Sequence, residues 1–194
     1  MNSILHFDQQ LFFFINNNCH TAFFNSLMPY WRSMYFWIPL YAFFITFIVE
    51  KYGNKGWIYL LALALTVSVS DTVSSKFIKK SFERARPCND SQLKTQVKLL
   101  VHCGSGYSFP SSHATNHFAV AVFVIFTLAI RKKWLQWGLI AWASSVALGQ
   151  VYVGIHYPFD ILFGGILGSF IGWGMAFLYK KYASINSILQ NFYV

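Results

Sequence analysis

An all-α integral membrane fold is predicted by this sequence, as a bundle of about five transmembrane helices with an interfacial helix at the N-terminus. Hydrophobic residues make up 56% of the 194 residues and charged residues only 11%, which is too apolar for a soluble domain of this size. Five apolar segments approach the length that a helix needs to cross hydrocarbon: 34–50, 57–75, 112–130, 134–151 and 159–179. We treat residues 1–194 as a single membrane-embedded domain.

Residues 1–33 precede the first of these segments and are expected to form interfacial helices. Residues 4–15 mix apolar and polar positions, which suits a helix lying in the membrane surface. The apolar stretch 22–31 is too short to span the bilayer and contains Pro29. A cleaved signal peptide is not expected, because the first residues lack a basic region and no small-residue cleavage site follows an apolar core.

The positive charge of the chain indicates contact with anionic lipid. The formal net charge is +9, and the fifteen basic residues fall in short clusters between the apolar segments. Such juxtamembrane clusters favour a bilayer over nucleic acid as the partner, and we find no nucleic-acid-binding motif. The sequence leaves the oligomeric state open.

The alternation of spans predicts the topology. Residues 76–110 and 151–158 then share one side of the membrane, whereas 51–56, 131–133 and the C-terminus share the other. The second side carries these basic residues: Lys51, Lys55, Arg131, Lys132, Lys133, Lys180 and Lys181. The positive-inside tendency makes that side cytoplasmic, although the 76–110 loop is itself basic. We therefore expect a bacterial inner-membrane protein whose 76–110 loop faces the periplasm or exterior.

Two short clusters on the predicted outer side contain groups that bind phosphate. Lys79 and Arg86, in the active-site loop expected at 76–110, can neutralise phosphate oxygens. Pro110 stops any preceding helix, so that Ser111 and Ser112 lie where the next span begins. Free backbone N–H groups and the positive end of the helix dipole would then face an anion.

Two histidines on the same side can supply a nucleophile and an acid. His156 comes just before the last span, and Asp160 follows inside the first turn that Pro158 opens. The carboxylate can hold one ring nitrogen of His156, which leaves the other as a nucleophile. His113 is a second imidazole, suited to acid catalysis. Together the clusters favour phosphoryl transfer without a metal, and the spacing of cysteine and histidine fits no zinc pattern.

At these clusters the sequence resembles the phosphatidic-acid-phosphatase type 2 superfamily, the membrane lipid phosphatases related to the vanadium haloperoxidases. The resemblance covers most of the chain. The three family motifs correspond to Lys79 with Arg86-Pro87, to Pro110-Ser111-Ser112-His113, and to Gly149-Gln150 with His156 and Asp160. A serine replaces the usual glycine of the second motif, and Gly149-Gln150 replaces the usual Ser-Arg of the third.

The resemblance implies a role for each matching residue. His156 attacks phosphorus to form a phosphohistidine, Asp160 orients His156, and His113 protonates the leaving oxygen before activating water. The residues expected to contact the phosphoryl oxygens are Lys79, Arg86, Ser111, Ser112 and Gln150. No metal and no other cofactor is implied.

Gln150 stands where the third family motif has an arginine. A bidentate arginine would give two charge-assisted hydrogen bonds to phosphate, whereas glutamine gives one neutral donor. Either a neighbouring cation compensates, with Lys76, Lys80 or Arg84 as candidates, or the protein is slow or inactive. We expect compensation, because the nucleophile, its carboxylate and the acid are all present.

Four further residues are expected to support the site. Asp71 lies in the second span about 12 Å of helix below Lys79, and we expect it to pair with a basic residue or a hydroxyl. Lys80 is placed beside it in this supporting role. Cys88 and Cys103 bracket the loop and form either a disulfide or two free thiols.

The predicted substrate is a membrane lipid phosphate or diphosphate, because the reactive residues lie at the ends of spans. Undecaprenyl diphosphate is the leading candidate, followed by phosphatidylglycerol phosphate, phosphatidic acid and the lipid A 1-phosphate. Two alternatives stay open. A second lipid or sugar in place of water would make the protein a phosphotransferase, and the loss of the motif arginine would suit a catalytically impaired protein that binds or transports lipid.

Overall fold

The computed structural model describes residues 2–183, and within that range the regular structure is entirely helical. The predicted all-α membrane bundle is confirmed. The α-helices are α1 (Asn2–Asn18), α2 (Ala22–Trp31), α3 (Ile38–Tyr52), α4 (Asn54–Thr72), α5 (Lys79–Phe82), α6 (Ser112–Thr127), α7 (Lys133–Tyr152) and α8 (Pro158–Ala183). The C-terminus that was expected on the cytoplasmic side, 184–194, lies outside the described residues.

Three stretches of the described chain are long and apolar enough to cross a membrane. They are Met34–Tyr52, Asn54–Phe82 and Pro158–Tyr182. The other two predicted spans are the helices α6 and α7. At 16 residues α6 is short, and it is enclosed by α4, α7 and α8, so that Ala114, Ala119 and Phe123 are fully buried. All five predicted apolar segments are therefore helical, with α6 at the centre.

The second span extends further than expected. We predicted a loop from residue 76, but the helix continues from α4 through a π-helical turn, Val73–Ile78, into α5. It continues because neither glycine nor proline occurs between Trp57 and Arg86. Glu83 then ends it with φ of 46°, in the left-handed region. Lys79 is consequently held on a helix and not on a loop.

The helices α6 and α8 pack together through a glycine stripe on α8. Gly168 and Gly172 each face a backbone carbonyl of α6, and Gly164 faces that of Ser111, directly before α6. A Cβ added at Gly164 would come within 2.7 Å of the Ser111 oxygen. Small residues at a spacing of four let two helix backbones approach closely. This contact places the start of α6 against the start of α8, where the second and third motifs lie.

The N-terminal helices pack against the bundle. On α1, Phe12 is fully buried and lies edge-to-face on Tyr157, with ring centroids 5.4 Å apart. Asn16, also fully buried, donates from Nδ2 to the carbonyl oxygens of Lys98 and Tyr152, both at 3.0 Å. The expected helix in residues 4–15 is present, and its polar positions include groups buried in protein contacts.

The loop from Glu83 to Ser111 is tied to itself and to the bundle. Cys88 and Cys103 form a disulfide, with Cα atoms 6.0 Å apart. The Ser108 N–H donates to the Arg84 carbonyl at 2.8 Å, and the Leu100 N–H donates to the Val153 carbonyl at 3.2 Å. These bonds hold the loop together and join it to Val153 at the end of α7.

Candidate active site

The N-terminus of α6 presents two unused backbone donors. Ser111 is the N-cap residue, and its Oγ accepts from the Ala114 N–H at 3.4 Å. Its own N–H donates to the Asp160 carbonyl oxygen at 2.9 Å. The N–H groups of Ser112 and His113 donate to no group among residues 2–183. Such free N–H groups at a helix N-terminus form an anion site. Ser111 caps the helix at this site, but its own N–H is already bonded to Asp160.

His156 is buried and is held by Asp160. Only 1% of His156 is exposed, and its Nδ1 lies 3.4 Å from Oδ2 of Asp160, which also accepts from the Tyr157 N–H at 2.8 Å. Burial lowers the pKa of His156 to about 4, although Asp160 opposes this shift. The ring is therefore neutral at neutral pH. With Nδ1–H directed at the carboxylate, Nε2 keeps its lone pair.

Arg84 connects the Asp160 carboxylate to a second buried carboxylate. Its Nη1 donates to Asp160 Oδ1 at 2.8 Å and its Nη2 donates to Asp8 Oδ2 at 2.7 Å. The guanidinium also lies over the Tyr157 ring, 3.9 Å from the centroid. Asp8 Oδ1 accepts from the Phe159 N–H at 2.9 Å. Arg84, one of the three cations that we considered as compensating for the missing motif arginine, is thus paired with two carboxylates.

Asp8 was not among the predicted site residues. It is fully buried, and burial raises the pKa of its carboxyl group while the Arg84 hydrogen bond opposes that shift. Its sequence neighbours suggest an interfacial helix, and nothing in the local pattern connects residue 8 with residue 84. The only signal was a lone acidic residue among the apolar positions of α1.

Lys79 and Arg86 provide positive charge beside the two histidines. Arg86 donates from Nε to the Gly106 carbonyl oxygen at 2.8 Å, which fixes its guanidinium. Lys79 lies within electrostatic range of Arg86, Asp160 and His113. Its ammonium group makes no hydrogen bond or ion pair to the part of the chain that the structure describes. It is available to an anionic ligand.

Gln150 has a contact that the sequence did not suggest. Its side chain is fully buried, its Oε1 accepts from Arg32 Nε at 2.9 Å, and its Nε2 lies 3.4 Å from the Val146 carbonyl oxygen. We expected a neutral donor to phosphate here, with Lys76 or Lys80 as a compensating cation. Both lysines are exposed on the helical extension, and the cation in contact with Gln150 is Arg32.

Asp71 and Ser112 belong to one polar chain between the second span and α6. Asp71 Oδ1 accepts from Asn116 Nδ2 at 3.2 Å and from Ser75 Oγ at 3.4 Å. Ser75 Oγ in turn lies 2.8 Å from Ser112 Oγ. Asp71 is thus paired with a hydroxyl and an amide, and Lys80 takes no part among the described hydrogen bonds.

Proteins of known function resemble this chain along most of its length. A lipid A 4'-phosphatase of Bacteroides thetaiotaomicron is 32% identical over 177 residues, covering 90% of this chain and 77% of the relative. An undecaprenyl-diphosphatase of Sulfolobus acidocaldarius is 30% identical, covering 86% and 76%. The crystal structure of a transmembrane phosphatidylglycerolphosphate phosphatase of Bacillus subtilis shares the fold, with a TM-score of 0.69 and 22% identity over 94% of this chain and 89% of that one.

These relatives and the site define the class of protein: an integral membrane phosphatase that hydrolyses phosphate groups of lipids. The family model of the PAP2 superfamily matches residues 55–183, which is more than half of the chain. The chain belongs to the PAP2 superfamily.

Proposed function

We propose that this phosphatase removes a phosphate monoester from lipid A by forming a phosphohistidine at His156. The observation that carries the mechanism is the buried, neutral His156 beside unpaired N–H groups and cations. Support for the substrate comes from the lipid A 4'-phosphatase of B. thetaiotaomicron, whose match covers 90% of this chain. Lipid A carries its phosphates on sugar at the membrane surface, where span ends place the site.

In the proposed first step, His156 Nε2 attacks phosphorus. An N–P bond forms, the P–O bond to the lipid breaks, and His113 gives its proton to the leaving oxygen. Asp160 accepts the Nδ1–H hydrogen bond and stabilises the positive charge that develops on the ring. In the second step His113 takes a proton from water, whose oxygen attacks phosphorus and breaks the N–P bond, and inorganic phosphate leaves.

The groups proposed to bind the three phosphoryl oxygens are the N–H donors of Ser112 and His113, the Lys79 ammonium group and the Arg86 guanidinium. Charge spreads over these oxygens in the transition state, so preorganised donors contribute much of the rate. Within this proposal Ser111 caps α6 and Asp71 supports it. The reaction as written involves no metal ion.

The site is proposed to open on the periplasmic or outer face of an inner membrane. The two histidines lie at the starts of α6 and α8. Four lysines lie at helix ends on the other predicted side of the membrane, in keeping with the positive-inside tendency: Lys51, Lys55, Lys180 and Lys181. The Cys88–Cys103 disulfide is independent support, because such bonds persist in oxidising compartments.

Undecaprenyl diphosphate is the second candidate substrate, favoured by the S. acidocaldarius relative. The two candidates differ chemically, since one leaving group is a sugar hydroxyl and the other is a lipid phosphate. A phosphate leaving group needs less protonation. Dependence of the rate on His113 therefore distinguishes them.

The test is phosphate release by the detergent-purified protein in EDTA, from a panel of lipid A 1-phosphate, lipid A 4'-phosphate, undecaprenyl diphosphate and phosphatidylglycerol phosphate. His156→Ala is the matched inactive variant. We expect release from lipid A 4'-phosphate that survives EDTA and disappears in His156→Ala. Preference for another lipid would overturn the substrate, and equal release by His156→Ala would overturn the phosphohistidine mechanism.

A further inference from the structure

The guanidinium of Arg32 lies within electrostatic range of His113 and Arg86, and most of its donors are unused by the described residues. Arg32 follows α2, and its Nε–H is taken by Gln150 Oε1 at 2.9 Å. Its two terminal nitrogens donate to nothing in residues 2–183. The terminal N–H groups of Arg32 are therefore free to donate to the oxygen atoms of a ligand.

The end of α2 and the residues that follow it pack against α7, and this packing holds Arg32 in place. Trp31 Nε1 donates to Ser145 Oγ at 3.0 Å, and Trp37 packs edge-to-face on Trp142 with ring centroids 5.7 Å apart. Arg32 Cβ packs directly on Gly149, where an added Cβ would lie 3.4 Å away. Arg32 thus contacts both Gly149 and Gln150, the two departures from the third family motif.

The charges around Arg32 call for an anion. Burial lowers the pKa of Arg32, and the nearby charge of Arg86 lowers it further. His113 lies within electrostatic range of both Arg32 and Lys79. Asp160, the carboxylate within electrostatic range of both Lys79 and Arg86, is already committed to Arg84 and His156. Arg32, Lys79 and Arg86 thus place positive charges near one another, an arrangement that attracts an anionic ligand.

We propose that Arg32 binds the phosphoryl group of the substrate through its terminal nitrogens, and that Gln150 is the positioning residue that holds it there. The inference rests on the proposed function and extends it to a residue of the N-terminal segment. Arg32 would present a fork of N–H donors to two phosphoryl oxygens, the geometry that arginine provides and lysine does not. Gln150 offers a neutral acceptor that orients the guanidinium and leaves its charge intact.

Gln150→Glu is the sharpest variant, because it keeps the shape and the Arg32 contact but cancels the charge of Arg32. We expect the thermal midpoint in detergent to hold or rise, while the affinity for inorganic phosphate and kcat/KM both fall at least tenfold. A purely structural role for the pair would leave phosphate affinity unchanged. Inorganic phosphate is the probe, measured by calorimetry, so the readout does not depend on which lipid is the substrate.

Arg32→Gln and the exchange Arg32→Gln/Gln150→Arg complete the test, with Lys133→Gln at the far end of α7 as the control. Loss of one preorganised donor group lowers kcat by ~10²–10³-fold. We expect a loss of that size in Arg32→Gln, and we expect the exchange to recover at least tenfold of it. Phosphate affinity within twofold of the unaltered protein in both Arg32→Gln and Gln150→Glu would overturn the inference, as would absence of phosphate binding in the unaltered protein. Normal phosphate binding without turnover of any lipid would instead count against the proposed function.

Discussion

The α6–α8 pair and the two N-terminal helices reach the same site by different routes. The α6–α8 pair brings His113, His156 and Asp160 together through a glycine stripe and through the Ser111 N–H bond to Asp160. The N-terminal helices contribute single charged residues, Asp8 from α1 and Arg32 after α2. The first region places the groups that we propose to react, and the second contacts the residues that flank them.

The difference shows how a charged site is kept inside a small membrane protein. Asp160 is buried, and its negative charge is balanced by Arg84, whose own second partner is Asp8. Burial of a carboxylate is costly, and the alternating charges of Asp160, Arg84 and Asp8 reduce that cost. The effect of breaking each region should therefore differ in size and in kind.

Asp160→Asn attacks the α6–α8 region directly and has the largest expected effect. The amide cannot fix the Nδ1–H tautomer of His156 or stabilise an imidazolium, so we expect kcat to fall about 10⁴-fold, as for the equivalent change in a catalytic triad. Single-turnover phosphate release measures it. A loss below tenfold would show that Asp160 does not orient the nucleophile.

Removal of the disulfide with Cys88→Ser should act on stability. The cysteines are separated by 15 residues, and closing a loop of that size stabilises the folded state by about 3 kcal/mol. We expect a lower thermal midpoint and a nearly unchanged kcat at low temperature. Cys19→Ser, which removes the exposed free cysteine, is the control. Equal midpoints for the two variants would mean that the loop is held by its other bonds.

Gly168→Ala tests the close approach of α6 and α8. A methyl group at this position would collide with the Thr115 carbonyl of α6, whereas one at Gly174 meets nothing within 4 Å. Overpacking of this kind costs about 1–3 kcal/mol. Unfolding midpoints of Gly168→Ala and Gly174→Ala should therefore separate, with activity falling only in the first. Indistinguishable variants would contradict the glycine stripe as the element that joins the motifs.

Asp8→Asn tests the N-terminal region and has the smallest expected effect. Arg84 keeps its bond to Asp160 but loses the second charge, so we expect kcat to fall roughly tenfold, or about 1.4 kcal/mol of barrier. Asp90→Asn removes a carboxylate whose hydrogen bonds among residues 2–183 come from the Gln92 and Leu93 N–H groups, and it should leave kcat unchanged. If Asp8→Asn and Asp90→Asn had the same kcat, Asp8 of α1 would have no role in catalysis.

Much of the α6–α8 region was predictable because its information is local. Proline, serine and histidine at fixed spacing mark the start of α6. His156 and Asp160 are four residues apart, around the start of α8. The length of the second span was not predictable to the residue, since Val73–Ile78 has the polar composition of a span end and yet remains helical.

The N-terminal contribution was not predictable, for a physical reason. Asp8 meets Arg84 across 76 residues, and Arg32 meets Gln150 across 118. Each contact depends on how helices pack, which hydropathy and periodicity do not encode. A charged residue in an interfacial helix has the same local pattern whether it faces water or a buried partner.

Because Asp8 and Arg32 both precede the family segment, which begins at residue 55, that segment does not contain the whole of the candidate site. A chimaera that joined residues 55–183 to the N-terminal helices of another lipid phosphatase would keep both histidines. It would lose Asp8, one of the two carboxylate partners of Arg84, and Arg32, which donates to Gln150. Among descendants of a common ancestor, residues 8 and 84 should change together, and so should residues 32 and 150.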